Sequence, residues 1–530
     1  MPVKAVLSNS FHVLRTGCVA LCSLQLALGG AYIAPPRPAD ESLTRTPIKH
    51  VIVIIGENRT FDHVFATYKP KPWESVDNLL SRGIIKEDGS PGPNYSLAVQ
   101  YSASDTHSDR YEVSPMDKSL YEKLPPPLVG GPTMPLFSTI AQAEAAEKDL
   151  APGYYRFLTT GGTGQTSRTP DQRIPNVNNL PPGPFQLTSA SFPYDAYAAS
   201  PGHRFYQMWQ QLDCNANYAN QWNPSGCKSD LFPWVEVTVG AGANGNPQPQ
   251  DFNDLSTGEG STAMGFYNVL QGDAPYFKEL ADAYAMSDNF HQSVQGGTGA
   301  NHIMLGSGDA IWFSDGNGYP AVPPHNQLVA EGTPNAGVVD EIENPDAAPD
   351  TNNWYTEDGY GGGSFGSPSF GGGSYSNCSD SDSPGVTSVV NYLSSLPHKV
   401  NPNCAPGHYY LLNNYNPGYF GDGTNASTDL NEHNTVFTIP PFNVRNIGDA
   451  LLDKRVSVKY YGDQFNRYLK DPYQINYNAP DIPDQYCNIC NFFQYSTSIM
   501  TNEMVRKELL KDTIDLFADI KNGTSGRLVR

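Results

Sequence analysis

The sequence has 530 residues, with 54 Asp and Glu against 33 Lys and Arg for a formal charge of −21, and 38% of it is hydrophobic. That length can bury a large core, and 49 Gly with 45 Pro require long loops around it. An acidic excess without any basic block excludes phosphate-backbone binding, and with it nucleic acid, as the main activity.

At the N-terminus, Lys4 and Arg15 precede an apolar run from Cys18 to Leu28, and Gly29-Gly30-Ala31 supplies small residues where a signal peptidase cuts. Residues 1–31 therefore read as a signal peptide, too short to span a bilayer, and the mature chain is expected to be secreted or periplasmic with no transmembrane segment. Cysteine usage agrees with export. Beyond Cys18 and Cys22 the cysteines are Cys214, Cys227, Cys378, Cys404, Cys487 and Cys490, and the sequence-local pairing 214–227, 378–404 and 487–490 is the simplest disulfide pattern. Cys487 and Cys490 also have the spacing of a redox pair or half a zinc site.

From Ile48 the chain reads Ile-Lys-His-Val-Ile-Val-Ile-Ile-Gly-Glu-Asn. Five consecutive β-branched residues, Val51 to Ile55, suit a central parallel strand buried on both faces, and ligands gather beyond the carboxyl ends of such strands. Glu57 and Asn58 stand at that end, a carboxylate and an amide carbonyl suited to a hard divalent cation. The competing reading gives Glu57 to capping a following helix and Asn58 to the turn.

Residues 68–195 are rich in Pro, Gly, Ser and Asn and read as an insertion with little regular structure, apart from a helix near Ile140 to Lys148. Phe277 to Met286 has helical periodicity and leads into Ser287-Asp-Asn-Phe-His291. Next comes Gln295-Gly-Gly-Thr298-Gly-Ala-Asn301-His302, where glycines on both sides of a threonine let backbone N–H groups approach an anion. Gly297, Gly299 and Asn301 are the candidate substrate-binding residues, and Thr298 is a candidate nucleophile if a metal lowers its pKa. A plain glycine-rich turn is the alternative, and the P-loop lysine is missing. Among the histidines, His107 and His302 are the candidates for phosphate contact or leaving-group protonation, whereas His63, His203 and His291 lie in aromatic settings where packing explains them. A second insertion covers about 310–440 and includes a Gly/Ser-rich loop from Asp358 to Asn377. Val456 to Tyr461 reads as a strand, and Glu503 to Ile520 as one amphipathic helix stopped by Asn522-Gly523.

The segment Val-Ile-Val-Ile-Ile-Gly-Glu57-Asn58-Arg59-Thr60-Phe61-Asp62-His63-Val-Phe resembles the opening motif of the bacterial phosphoesterase family of non-haemolytic-type phospholipases C and respiratory-burst-inhibiting acid phosphatases. Asp288-Asn-Phe-His-Gln-Ser-Val-Gln-Gly-Gly-Thr298-Gly-Ala-Asn301-His302 is similar to its second motif. The resemblance extends from about residue 46 to 530 and implies an α/β fold, a three-layer α/β/α sandwich of alkaline-phosphatase-like type. It implies that Glu57, Asn58 and Thr298 hold a divalent metal cation, that Thr298 is the nucleophile, and, more loosely, that His107 lies near the phosphate. The substrate would be a phosphate ester or a phospholipid. Members carry a further acidic pair downstream of the helix near Ile520, and none follows here, so the C-terminal part of the fold is expected to be missing. The alternative function is then a catalytically incomplete exported protein that binds phosphate ligands, or an inactive fragment.

Overall fold

The computed structural model describes residues 46–48, 50–57, 59–103, 111–127, 139–146, 155, 159, 170–196, 204–239, 261–324, 327–329, 337–339, 341–342, 346–347, 354–355, 375–383, 385–429, 438–474 and 486–521. The signal peptide, Asn58, His107, His203, most of the Gly/Ser-rich loop and Asn522-Gly523 lie outside the described residues. Helices run α1 Phe61–Phe65, α2 Ile140–Ala146, α3 Phe205–Leu212, α4 Phe232–Val239, α5 Pro275–Ala283, α6 Thr298–Ser307, α7 Val386–Ser395, α8 Ile447–Asp453, α9 Phe465–Tyr468, α10 Thr497–Met500, α11 Glu503–Leu509 and α12 Thr513–Lys521. The strands are short and pair in twos. β1 (Tyr101–Ser102) pairs antiparallel with β2 (Ser119–Leu120), and β3 (Phe185–Gln186) parallel with β4 (Gly265–Phe266). β5 (Gln327–Val329) and β6 (Gly337–Val339), β7 (Asp346–Ala347) and β8 (Trp354–Tyr355), and β9 (Tyr375–Ser376) and β10 (Tyr410–Leu411) are antiparallel pairs, and β11 (Tyr460–Gly462) runs parallel to β12 (Leu510–Asp512).

The protein is thus mixed α/β, with no three-layer sandwich among the described residues. Val51 to Ile55, expected as a buried central strand, has no regular secondary structure and is exposed, Ile54 to 84%. A strand buried on both faces needs ladder partners and cover, and every described strand is paired with another partner. The helix expected over Glu503 to Ile520 is also interrupted. Leu510–Asp512 leave the helix to pair with Tyr460–Gly462, and Asp512 secures the break by accepting from the N–H groups of Asn466 (2.8 Å) and Ile514 (3.1 Å). The strand expected from Val456 forms only at Tyr460–Gly462. Pro275 takes the first turn of α5, where its missing N–H costs nothing, so that helix starts earlier than periodicity suggested. The three sequence-local disulfides are all present.

One packed cluster and one helix cap fix the two motifs. Around α6, Ala300 and Ile303 meet Ile311, Tyr375, Leu411, Tyr415, Ile439, Phe442 and Tyr495 in one core. Gly306, on the same face, presses on Phe492: a Cβ there would lie 2.1 Å from the ring. At the other motif, Thr60 caps α1. His63 Nδ1 accepts the Thr60 N–H (3.1 Å), and His63 Nε2 faces the Thr262 carbonyl (3.4 Å). One ring nitrogen must accept and the other must donate, so the imidazole is neutral, and burial, with help from Arg59, lowers its pKa to about 4.

Two outcomes are expected. Gly306→Ala should destabilise the protein by about 1–3 kcal/mol in urea unfolding, because the Phe492 ring has to move; an unchanged midpoint would mean that α6 and Phe492 are not in contact. Unfolded His63 takes up a proton near its ordinary 6.5 while the folded ring resists to about 4. The contribution of the neutral ring is therefore complete above pH 6.5 and is lost as pH falls toward 4, by up to about 3 kcal/mol. His63→Gln should lose less stability than the parent between pH 7 and 4.5, and equal losses would contradict the burial argument.

Candidate active site

The Gly-rich turn before α6 is shaped by a second backbone. A Cβ on Gly296 would lie 2.0 Å from the Leu412 carbonyl oxygen, and one on Gly297 2.7 Å from Asn414 Oδ1, so only glycine admits residues 412–414 at this distance. The Gly297 N–H donates to Leu412 O (3.1 Å), Gly299 N–H to Asn414 Oδ1 (2.7 Å) and Ala300 N–H to Asn413 O (3.1 Å). Asn413 Oδ1 in turn accepts the Phe205 N–H at the start of α3. Helix N-termini leave their first N–H groups without intrahelical partners, and here residues 412–414 take most of them. The Thr298 N–H has no partner among the described residues. At the far end Gly308, at positive φ, returns its N–H to Met304 O and closes the helix.

Thr298 and His302 are four residues apart and so lie one turn above the other on a single face of α6. Both reach Glu57. The Thr298 hydroxyl donates to Glu57 Oε1 at 2.9 Å, and His302 Nε2 lies 3.3 Å from Glu57 Oε2. A carboxylate only accepts, so His302 carries its proton on Nε2. His302 Nδ1 is buried with no partner among the described residues. Thr298 and His302 are buried, whereas the Glu57 side chain is 40% exposed, so the carboxylate is the open side of the cluster. The helix-cap reading of Glu57 does not hold: Thr60 caps α1, and the Glu57 carboxylate joins a segment 241 residues away.

The remaining expected residues separate. Both amide protons of Asn301 are taken by the carbonyls of Val294, Gly296 and Gly297 at 3.0–3.1 Å, and its Oδ1 accepts the Val294 N–H. Asn301 therefore braces the turn instead of facing a ligand, and the Gly297 and Gly299 N–H groups expected to contact phosphate are already engaged. His63 is packed, as its setting suggested, but His291 is exposed, with Nε2 2.7 Å from Asn289 Oδ1. The residues that sequence reasoning passed over are Asn413 and Asn414, 0% and 1% exposed. Their signal was amides set inside the aromatic run Tyr409-Tyr-Leu-Leu-Asn-Asn-Tyr-Asn, since a polar side chain buried in such a run must have partners.

The donor set fits a small cation in part. Two oxygen ligands of one octahedral cation, each about 2.1 Å from it, lie about 3 Å apart, and Glu57 Oε1 and Thr298 Oγ1 are separated by 2.9 Å. Among the described residues, no group of three or more His, Cys, Asp or Glu gathers to add charge. No helix among them is long and apolar enough to cross a membrane.

No curated protein and no solved structure matches the chain. A family model does. The phosphoesterase family model covers residues 157–524, which include α6 with Thr298 and His302 as well as the 412–414 segment that holds it. Covering well over half of the sequence, that match makes the chain a member of the phosphoesterase family, and phosphoric ester hydrolysis the activity its membership supports.

Proposed function

We propose that the protein is an exported, metal-dependent phosphoesterase with Thr298 as its nucleophile. The reading is carried by the 2.9 Å contact of the Thr298 hydroxyl with Glu57 Oε1 at the start of α6. A divalent cation held by Glu57 and Thr298, with Asn58 as a further oxygen donor, would lower the hydroxyl pKa and neutralise charge on the phosphoryl group. Thr298 Oγ1 attacks phosphorus in line, its proton leaving toward Glu57 Oε1, and the P–O bond to the leaving alcohol breaks. The departing alcohol takes its proton from a doubly protonated histidine, His302 beside Glu57 Oε2 or His107, which is left as the neutral imidazole. Water then attacks the phosphothreonine, giving a proton to that histidine, and the P–O bond to Thr298 breaks as Thr298 Oγ1 takes back its proton from Glu57 and phosphate leaves. A net charge of −21 works against adsorption to anionic membranes and favours soluble phosphate esters, of the kind acid phosphatases hydrolyse, over phospholipids. The three-layer sandwich goes with this reading as the family architecture, and the three disulfides support export.

A second reading, a protein that binds phosphate ligands without turning them over, is favoured by the single described carboxylate at the site. Metal analysis combined with turnover separates the two: near-stoichiometric divalent metal together with hydrolysis supports the enzyme, and a metal-free, inactive chain supports the binder. On the first reading Thr298→Ala should lower p-nitrophenyl phosphate hydrolysis by at least about a thousandfold. Unchanged turnover would exclude the threonine as nucleophile. Chelation should abolish activity and re-addition of a divalent cation restore it, whereas indifference to chelator would remove the metal from the mechanism. Comparing p-nitrophenyl phosphate with p-nitrophenylphosphorylcholine tests the substrate class, and faster cleavage of the choline ester would overturn the preference for monoesters.

A further inference from the structure

The backbone around Thr298 is the softest that a sequence can supply, because glycine precedes it and glycine follows it. A nucleophile has to be held close to its attacking geometry, and misplacement by about 1 Å can cost about a hundredfold in rate. The restraint on Thr298 must therefore come from outside its own segment. Asn414 supplies it. Its Oδ1 is wedged between the two glycines, 2.7 Å from the place where a Gly297 Cβ would be and 2.7 Å from the Gly299 nitrogen.

We propose that Asn414 is the positioning residue for the Thr298 hydroxyl, acting through the Gly299 N–H; the proposal rests on the nucleophile reading above. The peptide unit joining Thr298 to Gly299 sets the direction of the Thr298 side chain. Its N–H is fixed by Asn414 Oδ1, while the neighbouring N–H groups of Gly297 and Ala300 are fixed by Leu412 and Asn413 carbonyls. Asn414 is 1% exposed, so water does not compete for the bond. The same arrangement withdraws three N–H groups from any anion and leaves the Thr298 N–H, on the nucleophile itself, without a partner among the described residues. Among the N–H groups of residues 297–300, that of Thr298 is thereby the one left for phosphate by the described residues.

The test compares p-nitrophenyl phosphate hydrolysis by the whole protein, with divalent cation added, for the parent, Asn414→Ala, Asn414→Asp and Thr298→Ala. Asn414→Ala should lose about ten- to a hundredfold in kcat with little change in KM. Asn414→Asp keeps an acceptor oxygen and should recover most of kcat, with KM raised because the new charge repels phosphate. Parental kcat in Asn414→Ala, or an Asp variant as slow as the Ala variant, overturns the proposal. Full activity in Thr298→Ala removes the nucleophile reading and this one with it, whereas an inactive Thr298→Ala beside a fully active Asn414→Ala removes this one alone. Should Asn414→Ala not fold, amide hydrogen exchange of the parent decides: slow exchange at Gly299 beside fast exchange at Thr298 supports the clamp, and the reverse order refutes it.

Discussion

Two stretches of backbone, Gly296–Gly297 and Leu412–Asn414, touch at a distance that leaves no room for a side chain between them. That contact determines where α6 begins. It seats the first turn of the helix on three hydrogen bonds to 412–414 and directs one face, bearing Thr298 and His302, toward Glu57. The aromatic core behind it makes the contact rigid. Tyr375, Tyr415 and Tyr495 are buried against Ala300 and Ile303, and the Tyr495 hydroxyl donates to the Tyr415 and Ile489 carbonyls, tying the 412–416 segment to the turn at Cys487–Cys490. The position of a single hydroxyl thus depends on packing contributed by segments over a hundred residues apart.

Electrostatics restrict what such a cluster can do. Glu57 places a negative charge where a phosphate ester would have to bind, and at an effective dielectric near 20 two like charges about 4 Å apart repel by about 4 kcal/mol. A cation shared by carboxylate and phosphoryl oxygens would turn that repulsion into attraction. The threonine reading and the metal reading are coupled for this reason: without the cation, Glu57 opposes substrate binding, and the Thr298 hydroxyl keeps the pKa of an ordinary alcohol.

The sequence made the two ends of the site legible because each carries a dense, unusual pattern: a β-branched run ending in Glu57-Asn58, and a threonine between glycines. It also made the disulfides legible, since near neighbours in sequence needed little folding to meet. The fold was less legible. The Val51–Ile55 run has the composition of a buried strand, but strand formation depends on ladder partners that composition does not encode, and here the run has none among the described strands. The helical stripe from Met504 to Ile520 was misread for a related reason, because pairing of Leu510–Asp512 with Tyr460–Gly462 overrides local periodicity.

Asn414 shows why the remainder of the site stayed hidden. A glycine cluster has two physical uses, presenting N–H groups to an anion and admitting another backbone, and the two look identical in sequence. What separates them is the partner, which lies more than a hundred residues downstream in a run with no catalytic signature. At Gly296 and Gly297 the second use prevails, and at Gly299 the N–H is spent on a buried amide. On the nucleophile reading, recognition of the ligand then falls to Thr298, which offers its hydroxyl and an N–H without a partner among the described residues, and to groups brought in around Glu57. On the reading proposed above, a site built this way would gain a well-fixed nucleophile and give up most of the anion-binding capacity of its helix N-terminus, and would rely on charge supplied near the carboxylate for binding and on Asn414 for geometry.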